Sequence, residues 1–131
     1  MLFHTFASQD ERRKYGGSAF IEIQFCQMPA GTAVKDLVSV CSVDHWQNDS
    51  LYVHMNDGNV FYEEYSGIFD RGTYNNMKSG PMDLCGIHYY APSLTDCLIE
   101  KLSQNCPTDY EILVEWLEKS KPYNGFYILG L

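Results

Sequence analysis

Hydrophobic and polar residues alternate near the start of the chain in the pattern of a half-buried β-strand. In the stretch GGSAFIEIQFCQM, the apolar residues Ile21, Ile23 and Phe25 lie on one side of the strand, and Glu22 and Gln24 lie on the other. The upstream run LFHTFA predicts a short partner strand, and the polar segment SQDERRKYGG between the two predicts a connecting loop. The pattern therefore predicts a β-hairpin.

The segment AVKDLVSVCSV fits a helix, although its β-branched residues leave a strand open. The helix would place on one stripe Val34, Leu37, Val38 and Cys41. Farther along, SLYVHM alternates apolar and polar residues and meets the turn signal NDG, so it predicts a strand. The next segment, NVFYEEYSGIF, fits an amphipathic helix better than a second hairpin strand, because its apolar spacing is helical. The residues with that spacing are Val60, Phe61, Tyr65 and Ile68.

Two amphipathic helices are predicted late in the chain, each preceded by a capping signal. Ser93 with Asp96 is close to a capping box, and Thr108 with Glu111 is a fuller one. The apolar face of the first contains Leu94, Cys97, Leu98 and Leu102, and that of the second contains Ile112, Leu113, Trp116 and Leu117. Both helices should therefore pack on a common layer.

The remaining apolar runs predict further strands and complete the expected fold. MDLCGIHYYA is β-prone, and GFYILGL is a short apolar run typical of a central strand covered on both faces. Strands near both ends and paired late helices predict an α+β fold, in which helices cover a mixed or mostly antiparallel sheet with a central C-terminal strand. No repeat or linker divides the 131 residues, so we expect residues 1–131 to form a single domain.

Composition and charge narrow the classes of partner and compartment. The formal net charge of −8 with nine scattered Lys and Arg residues argues against nucleic acid, which needs a clustered positive field, and favours a basic partner. Five cysteines without C-x-x-C spacing indicate buried free thiols in a reducing compartment. No apolar run approaches membrane-spanning length, so we expect no membrane association and a cytoplasmic location.

Candidate metal sites fail on ligand type or spacing. Gly58 and Glu64 have the spacing of an EF-hand loop, but Val53 and Met55 occupy its first and third ligand positions and carry no side-chain oxygen. A further set of potential ligands matches no zinc or iron pattern and consists of Cys41, His45, His54 and Asp57. Cys85 and His88 would point to opposite faces of a strand. We therefore expect no metal and no cofactor.

Catalytic motifs are also missing from the sequence. It contains no G-x-S-x-G elbow, no phosphate-binding G-x-x-x-x-G-K-[ST] loop and no G-x-G-x-x-G. The adjacent residues Glu63 and Glu64 could form an acid and base pair only if both pointed inward, which neighbouring residues rarely do. We therefore expect a protein without enzymatic activity, with no catalytic residues to assign.

A long acidic region without Lys or Arg extends from Asp36 to Asp70 and is interspersed with aromatic residues. Carboxylates steer basic partners to a surface, while Trp and Tyr are enriched at interface anchor points. The alternative is that many of these rings lie in the core and that the acids form only the solvent-exposed side of the same elements. The predicted partner-binding residues are Asp44, Trp46, Asp49, Tyr52, Asp57, Tyr62, Glu63, Glu64, Tyr65 and Asp70.

The runs GIHYYAPSLTDCLIEKL and DYEILVEWLEKSKPYNGFYILGL resemble bacterial immunity proteins of polymorphic toxins, in particular those of contact-dependent growth inhibition systems. The resemblance covers mainly residues 86–131, with further support from SLYVHMNDGNVFYEEY. It implies a cytoplasmic, non-enzymatic protein that binds the C-terminal toxin domain of its system and blocks the toxin's active site or substrate approach. Such toxins are often basic nucleases. No functional residue is carried over by motif, so the partner-binding residues rest on charge and composition.

The leading hypothesis is therefore an immunity protein that neutralises a basic toxin domain through residues 44–70. One alternative is a small hydrolase that uses a Cys, His and Asp cluster or a metal ion. Another is a general acidic adaptor with a different basic partner.

Overall fold

An open, antiparallel six-stranded sheet forms the centre of the fold. In chain order the strands are β1 Phe20–Phe25, β2 Leu51–His54, β3 Gly72–Tyr74, β4 Ser79–Gly80, β5 Ile87–Tyr90 and β6 Phe126–Leu129. Their order across the sheet is β2-β1-β6-β5-β3-β4, and every neighbouring pair is antiparallel. The structure is a computed structural model that describes residues 1–17, 19–44 and 46–130. It confirms the predicted α+β class and the central position of the C-terminal strand.

Helices cover both faces of the sheet. The α-helices are α1 Gln9–Gly16, α2 Val34–Leu37, α3 Gly58–Tyr65, α4 Thr95–Asn105 and α5 Tyr110–Lys119, and short 3-10 turns occupy Val40–Ser42, Met55–Asp57 and Pro92–Leu94. Among the residues that the structure describes, no helix is long and apolar enough to span a membrane.

One face of the sheet, here called the α3–α5 face, carries the larger hydrophobic core. Ile21, Ile23 and Phe25 of β1 point to this face, because alternate residues of a strand share one side. They pack with Phe61 of α3 and Trp116 of α5 in a single cluster of buried residues. The predicted common layer for the late helices is therefore present on this face.

The opposite face, here called the α1–α2 face, is covered as well. Cys26 and Tyr127 pack there against Leu37 and Val38 from the α2 segment. Of the stripe predicted for this segment, Val34 and Cys41 are exposed, because the helix ends at Leu37 and a separate 3-10 turn follows. Both sheet faces are therefore buried, and the strands are not half-solvated as the alternation predicted.

The predicted N-terminal hairpin is wrong. The segment taken for a loop contains α1, whose N-cap Ser8 accepts a hydrogen bond from the Glu11 backbone N–H at 3.1 Å. His4 pairs with Tyr52, so the first residues extend the edge of β2 rather than pairing with β1. The physical reason is that Ser8 and Glu11 have the spacing of a helix start, which outweighs the polar character of the segment.

The capping boxes predicted for the late helices do not form. A 3-10 turn containing Ser93 precedes α4, and no side chain caps either helix. The hydroxyl and the backbone N–H of Thr108 instead bond the carboxylate of Glu64 on α3, each at 2.9 Å. A tertiary contact therefore replaces the local cap.

All five cysteines are free thiols. Cys26 is buried and donates to the Tyr127 hydroxyl at 3.4 Å, whereas the others are exposed. The exposed thiols are Cys41, Cys85, Cys97 and Cys106. The expectation that the thiols are buried is therefore right for Cys26 alone, because the other four lie in turns or on outer helix positions.

Candidate functional site

The predicted partner-binding residues fall at different places along β2 and α3. Asp44 and Asp49 precede β2, Asp57 follows it, and Asp70 lies beyond α3. Because β2 is 4 residues long and a strand rises about 3.3 Å per residue, its two ends are on the order of 10 Å apart. The acidic region is thus continuous in sequence, but its carboxylates occupy separate places on the surface.

Helix α3 presents the most accessible part of this region. Phe61 and Tyr65, four residues apart, point inward and are fully buried, while the intervening side chains point outward. Val60 and Tyr62 are each 42% exposed; Tyr15 at 58% and Val40 at 68% are exposed large hydrophobic residues elsewhere in the molecule. We refer to the outward residues as the α3 surface, which consists of Asp57, Val60, Tyr62, Glu63 and Glu64.

Acids from the start of α5 lie beside the α3 surface. Glu64 is joined to Thr108 by hydrogen bonds, and the Tyr65 hydroxyl donates to the Thr108 carbonyl oxygen. Burial raises the pKa of Tyr65, and the nearby charges of Glu64, Asp109 and Glu111 raise it further. Asp109 and Glu111 follow Thr108 in sequence at the start of α5, so they add negative charge next to the contact of Thr108 with Glu64.

These carboxylates have no basic partner among the described residues. None of Asp57, Glu63 and Glu64 lies within 4.0 Å of a Lys, Arg or His nitrogen in residues 1–17, 19–44 and 46–130. Asp70 differs, because its Oδ1 is 3.9 Å from Arg71 Nε and 3.8 Å from Lys101 Nζ. Within the described part of the chain these three carboxylates therefore form no ion pair, whereas the charge of Asp70 is partly balanced.

The expectation that Tyr52 and Tyr65 are surface anchors is wrong, because both rings are fully buried. Tyr52 donates its hydroxyl to the Gln47 carbonyl oxygen at 2.6 Å, and Tyr65 bonds internally to Thr108. A tyrosine can enter a core when its hydroxyl finds such an acceptor. Trp46 is half-buried and stacks on Tyr52 with 5.2 Å between ring centroids. Of the predicted aromatic anchors, Tyr62 is the one with a largely exposed ring.

The α1–α2 face contains a buried polar cluster that the sequence pattern did not predict. Glu22 and Gln24 are 5% and 1% exposed, although the alternation of β1 placed them toward solvent. Glu22 Oε2 is within hydrogen-bond distance of Gln24 Nε2 at 3.0 Å, Ser50 Oγ at 2.7 Å and the Tyr52 hydroxyl at 3.2 Å. We refer to Glu22, Gln24, Ser50 and Tyr52 as the Glu22 cluster.

Burial determines the electrostatics of the Glu22 cluster. Desolvation raises the pKa of Glu22, while the hydrogen bonds from Ser50, Gln24 and Tyr52 and the charge of Arg12 oppose the shift. One signal in the sequence could have indicated this burial. The capping pattern of Ser8 and Glu11 predicts a helix, and a helix at this position can cover the polar face of β1, where Glu22 lies.

A cavity of about 400 Å³ opens beside the Glu22 cluster. Its charged lining consists of Arg12, Glu22 and Asp44. Its apolar walls are Phe20, Val40, Val43, Ile87 and Leu129. The volume lies at the small end of the range of about 300 to 1,000 Å³ that is common for ligand sites.

The residues considered for metal or nucleophilic chemistry lie apart. Among the described residues, no three His, Cys, Asp or Glu side chains are arranged to hold a metal ion. His45 lies outside the described residues, and His54 Nδ1 accepts from the Asn56 backbone N–H at 3.1 Å. Cys85 is exposed, whereas His88 is buried and bonds the Ile128 carbonyl oxygen at 3.2 Å.

The chain was compared with protein-family models, with curated proteins and with solved structures. None of the three comparisons gives a significant match.

Proposed function

We propose that this protein is an immunity protein that binds a cognate basic toxin domain, most naturally a nuclease, and neutralises it in the cytoplasm. The observation that carries the proposal is the α3 surface, where the exposed side chains of Glu63 and Glu64 have no basic partner among the described residues and neighbour the exposed Tyr62. The resemblance of residues 86–131 to immunity proteins supports the same function. Binding would cover the toxin's active site or block the approach of its substrate.

The charges of the α3 surface would act mainly on the rate of association. Opposite potentials steer two proteins together and raise association rates by one to three orders of magnitude at low salt. Glu63 is the clearest steering residue, because it is exposed and makes no hydrogen bond or ion pair with the described residues. Glu64 has a second role, since its carboxylate holds Thr108.

Tyr62 and Val60 would supply the affinity. Each is 42% exposed, so each has surface left to bury against a partner. Tyrosine combines a large rigid ring with a polar tip, which is why it is frequent among residues that dominate binding energy. Val60 and Tyr62 lie two residues apart and so on different sides of α3, with Glu63 on the outward face between them. A surface with carboxylates beside exposed apolar groups fits a basic protein better than a nucleic acid.

The first prediction concerns charge reversal at Glu63. We expect Glu63→Lys to slow association with the cognate toxin domain by about tenfold at low salt, because the steering field is weakened. Tyr62→Ala should instead speed dissociation. Association and dissociation rates measured by surface plasmon resonance at two salt concentrations check both effects. In cells that express the toxin, the double variant should fail to protect.

Asp36→Lys is the matched control. It makes the same charge change at an exposed residue of α2, on the opposite face of the sheet. At about 0.1 M salt we expect its association rate to stay within about twofold of wild type, since exposed charges beyond the Debye length of about 10 Å are screened there. Equal rates for Glu63→Lys and wild type at low salt would move the interface elsewhere.

The acidic adaptor remains the second candidate, since it would use the same surface for another basic partner. Protection of cells from the cognate toxin distinguishes the immunity protein from the adaptor, because an adaptor would bind its partner without rescuing growth.

A further inference from the structure

Arg12 is a buried cation that forms no ion pair with the described residues, although it lines the same cavity as Glu22 and its charge acts on that carboxyl. It lies on α1 and is 8% exposed, and its Nε has no hydrogen-bond partner. No carboxylate of residues 1–17, 19–44 and 46–130 lies within 4.0 Å of its guanidinium. Its Cζ instead lies 5.3 Å from the ring centroid of Trp46 and 5.5 Å from that of Tyr52.

Ring faces attract a guanidinium but do not replace an anion. A buried charge is normally paired or hydrogen-bonded, because removing it from water is costly. The aromatic pair holds the guanidinium in one place, and Arg12 lines the cavity. A carboxylate or similar anion in the cavity would complete its coordination, for which the planar guanidinium is well suited.

The same cavity offers acceptors for a cation. All hydrogen bonds to the Glu22 carboxylate from the described residues go to Oε2, so Oε1 has no donor from them. Asp44, the second carboxylate of the lining, is exposed at the rim, and its backbone is held by Gln24. Asp44 Oδ2 accepts from Gln47 Nε2 at 2.9 Å. An ammonium group, with three donors and a full positive charge, suits a lining that contains two carboxylates.

The remaining wall of the cavity is apolar. Val40 and Val43 come from the segment after α2, and Ile87 and Leu129 come from β5 and β6. Such walls favour an aliphatic or aromatic body, because its burial removes apolar surface from water. The lining therefore combines a cation, two carboxylates and an apolar wall within about 400 Å³.

We propose that the cavity binds an α-amino acid with an apolar side chain, with its carboxylate on Arg12, its ammonium group on Glu22 and Asp44, and its side chain against Val40, Val43 and Leu129. The proposal concerns the α1–α2 face and does not depend on the proposed function, whose surface lies on the other side of the sheet. Each part of the lining is used by one part of the ligand.

Simpler ligands leave one part of the lining unused. A fatty acid would satisfy Arg12 but would bring no donor to the carboxylates, and an alkylamine would leave Arg12 unpaired. An inorganic anion would not contact the apolar wall. A zwitterion with an apolar body meets all three features, and unsatisfied polar groups in a site discriminate strongly between otherwise similar ligands.

Isothermal titration calorimetry of the intact protein tests the proposal with L-leucine and L-phenylalanine. Two truncated probes are used as well. 4-Methylpentanoate lacks the ammonium group of leucine, and 3-methylbutylamine lacks its carboxylate. We expect micromolar to millimolar binding of at least one amino acid and about 10- to 100-fold weaker binding of both truncated probes, because each loses charge-assisted hydrogen bonds. Equal affinities for leucine and either truncated probe, or no binding at millimolar concentration, would overturn the proposal.

Variants locate the site. Arg12→Met keeps most of the side-chain length and removes the charge, and should weaken amino-acid binding at least about tenfold. Arg13→Met is the matched control, because Arg13 is exposed on the same helix and outside the cavity lining. Should Arg12→Met fail to fold, Asp44→Asn at the exposed rim gives the same test. Unchanged affinity in Asp44→Asn and in every folded Arg12 variant would contradict the assigned site.

Discussion

At the scale of single residues, His88 shows how burial sets the charge of a side chain. Its ring is 1% exposed, its Nδ1 lies 3.2 Å from the Ile128 carbonyl oxygen, and its Nε2 lies 3.4 Å from the Asp83 backbone N–H. Asp83 Oδ1 is also 3.4 Å from Nε2, which would suit a charged ring. Because the ring is buried and that carboxylate is largely exposed, we assign a neutral imidazole that donates from Nδ1. Burial lowers the pKa of His88 accordingly.

The lowered pKa of His88 predicts acid sensitivity. Above about pH 6.5 the ring is neutral in both folded and unfolded states and does not affect stability. Below that pH the unfolded state takes up a proton that the folded state excludes, so the free energy of unfolding falls by up to about 1.4 kcal/mol per pH unit. His88→Asn keeps a donor for Ile128 and removes the titration. We expect the free energy of unfolding, measured with urea between about pH 6.5 and pH 5.5, to fall more steeply for wild type than for His88→Asn. Parallel losses in the two proteins would contradict the assignment.

Residue-level chemistry was predicted in part. The helical spacing of α3 was predicted, and Tyr62 and Glu63 were proposed as partner-binding residues from charge and composition; the structure exposes both. Glu22 could not be placed in the same way, because alternation in a strand tells that two faces differ but does not tell whether a second layer covers the polar one. Glu22 is hydrogen-bonded by Ser50 and Tyr52, which follow it by 28 and 30 residues in sequence.

At the scale of elements, the sequence predicted those strands and helices whose apolar residues recur with a regular period. The strands at residues 20–25, 51–54, 87–90 and 126–129 and helices α3, α4 and α5 are present where the pattern placed them. The starts of the late helices were not predicted, because Thr108 bonds Glu64 instead of capping α5. The helix α1 was missed because its outward residues are nearly all polar, and only Arg12 is buried.

Gly125, which leads into β6, provides a test of a close approach between backbones. Its φ of +83° lies in the left-handed region, and an added Cβ would overlap the carbonyl oxygen of Tyr90. Gly31 has a similar φ of +88° with no atom within 4 Å of an added Cβ. We expect Gly31→Ala to cost about 1 kcal/mol from backbone strain alone, and Gly125→Ala to cost at least about 2 kcal/mol more, because the clash adds to the strain. Equal losses in urea unfolding would show that the approach to Tyr90 is relaxed easily.

At the scale of the whole molecule, a single sheet supports two hydrophobic layers. Trp116 packs in the core of the α3–α5 face and donates its indole N–H to the Asp49 carbonyl oxygen at 2.8 Å. Trp46 packs beside Phe6 and Tyr52 on the α1–α2 face. Each tryptophan therefore reports on one layer, and the bond from Trp116 to Asp49 links the α5 helix to the loop before β2.

We predict that the two layers unfold together, because they share the strands between them. The variants Trp46→Phe and Trp116→Phe each keep one fluorescent indole. In each variant, the fluorescence midpoint in urea should coincide with the midpoint from far-UV circular dichroism, whatever the change in stability itself. A Trp46 signal that is lost before the circular dichroism signal would mean that the α1–α2 layer opens separately.

The location of the candidate interface also belongs to this scale. A stretch without Lys or Arg from Asp36 to Asp70 looks uniform in sequence, but folding sends its parts to both faces of the sheet. Asp70 meets Lys101 from α4, and the contact of Thr108 with Glu64 brings the start of α5, with Asp109 and Glu111, beside the α3 surface. Sequence alone could not reveal these additions, because Lys101 follows Asp70 by 31 residues and Thr108 follows Glu64 by 44.

Three of the four exposed thiols provide chemical reporters for the two candidate sites. Cys41 and Cys85 are sequence neighbours of Val40 and Gly86 in the cavity lining, and Cys106 is close to Thr108 at the α3 surface. A maleimide footprint of the native protein can therefore read the two sites separately in one sample. Protein that is handled without a reductant is correspondingly exposed to cross-linking between molecules, because accessible free thiols oxidise readily.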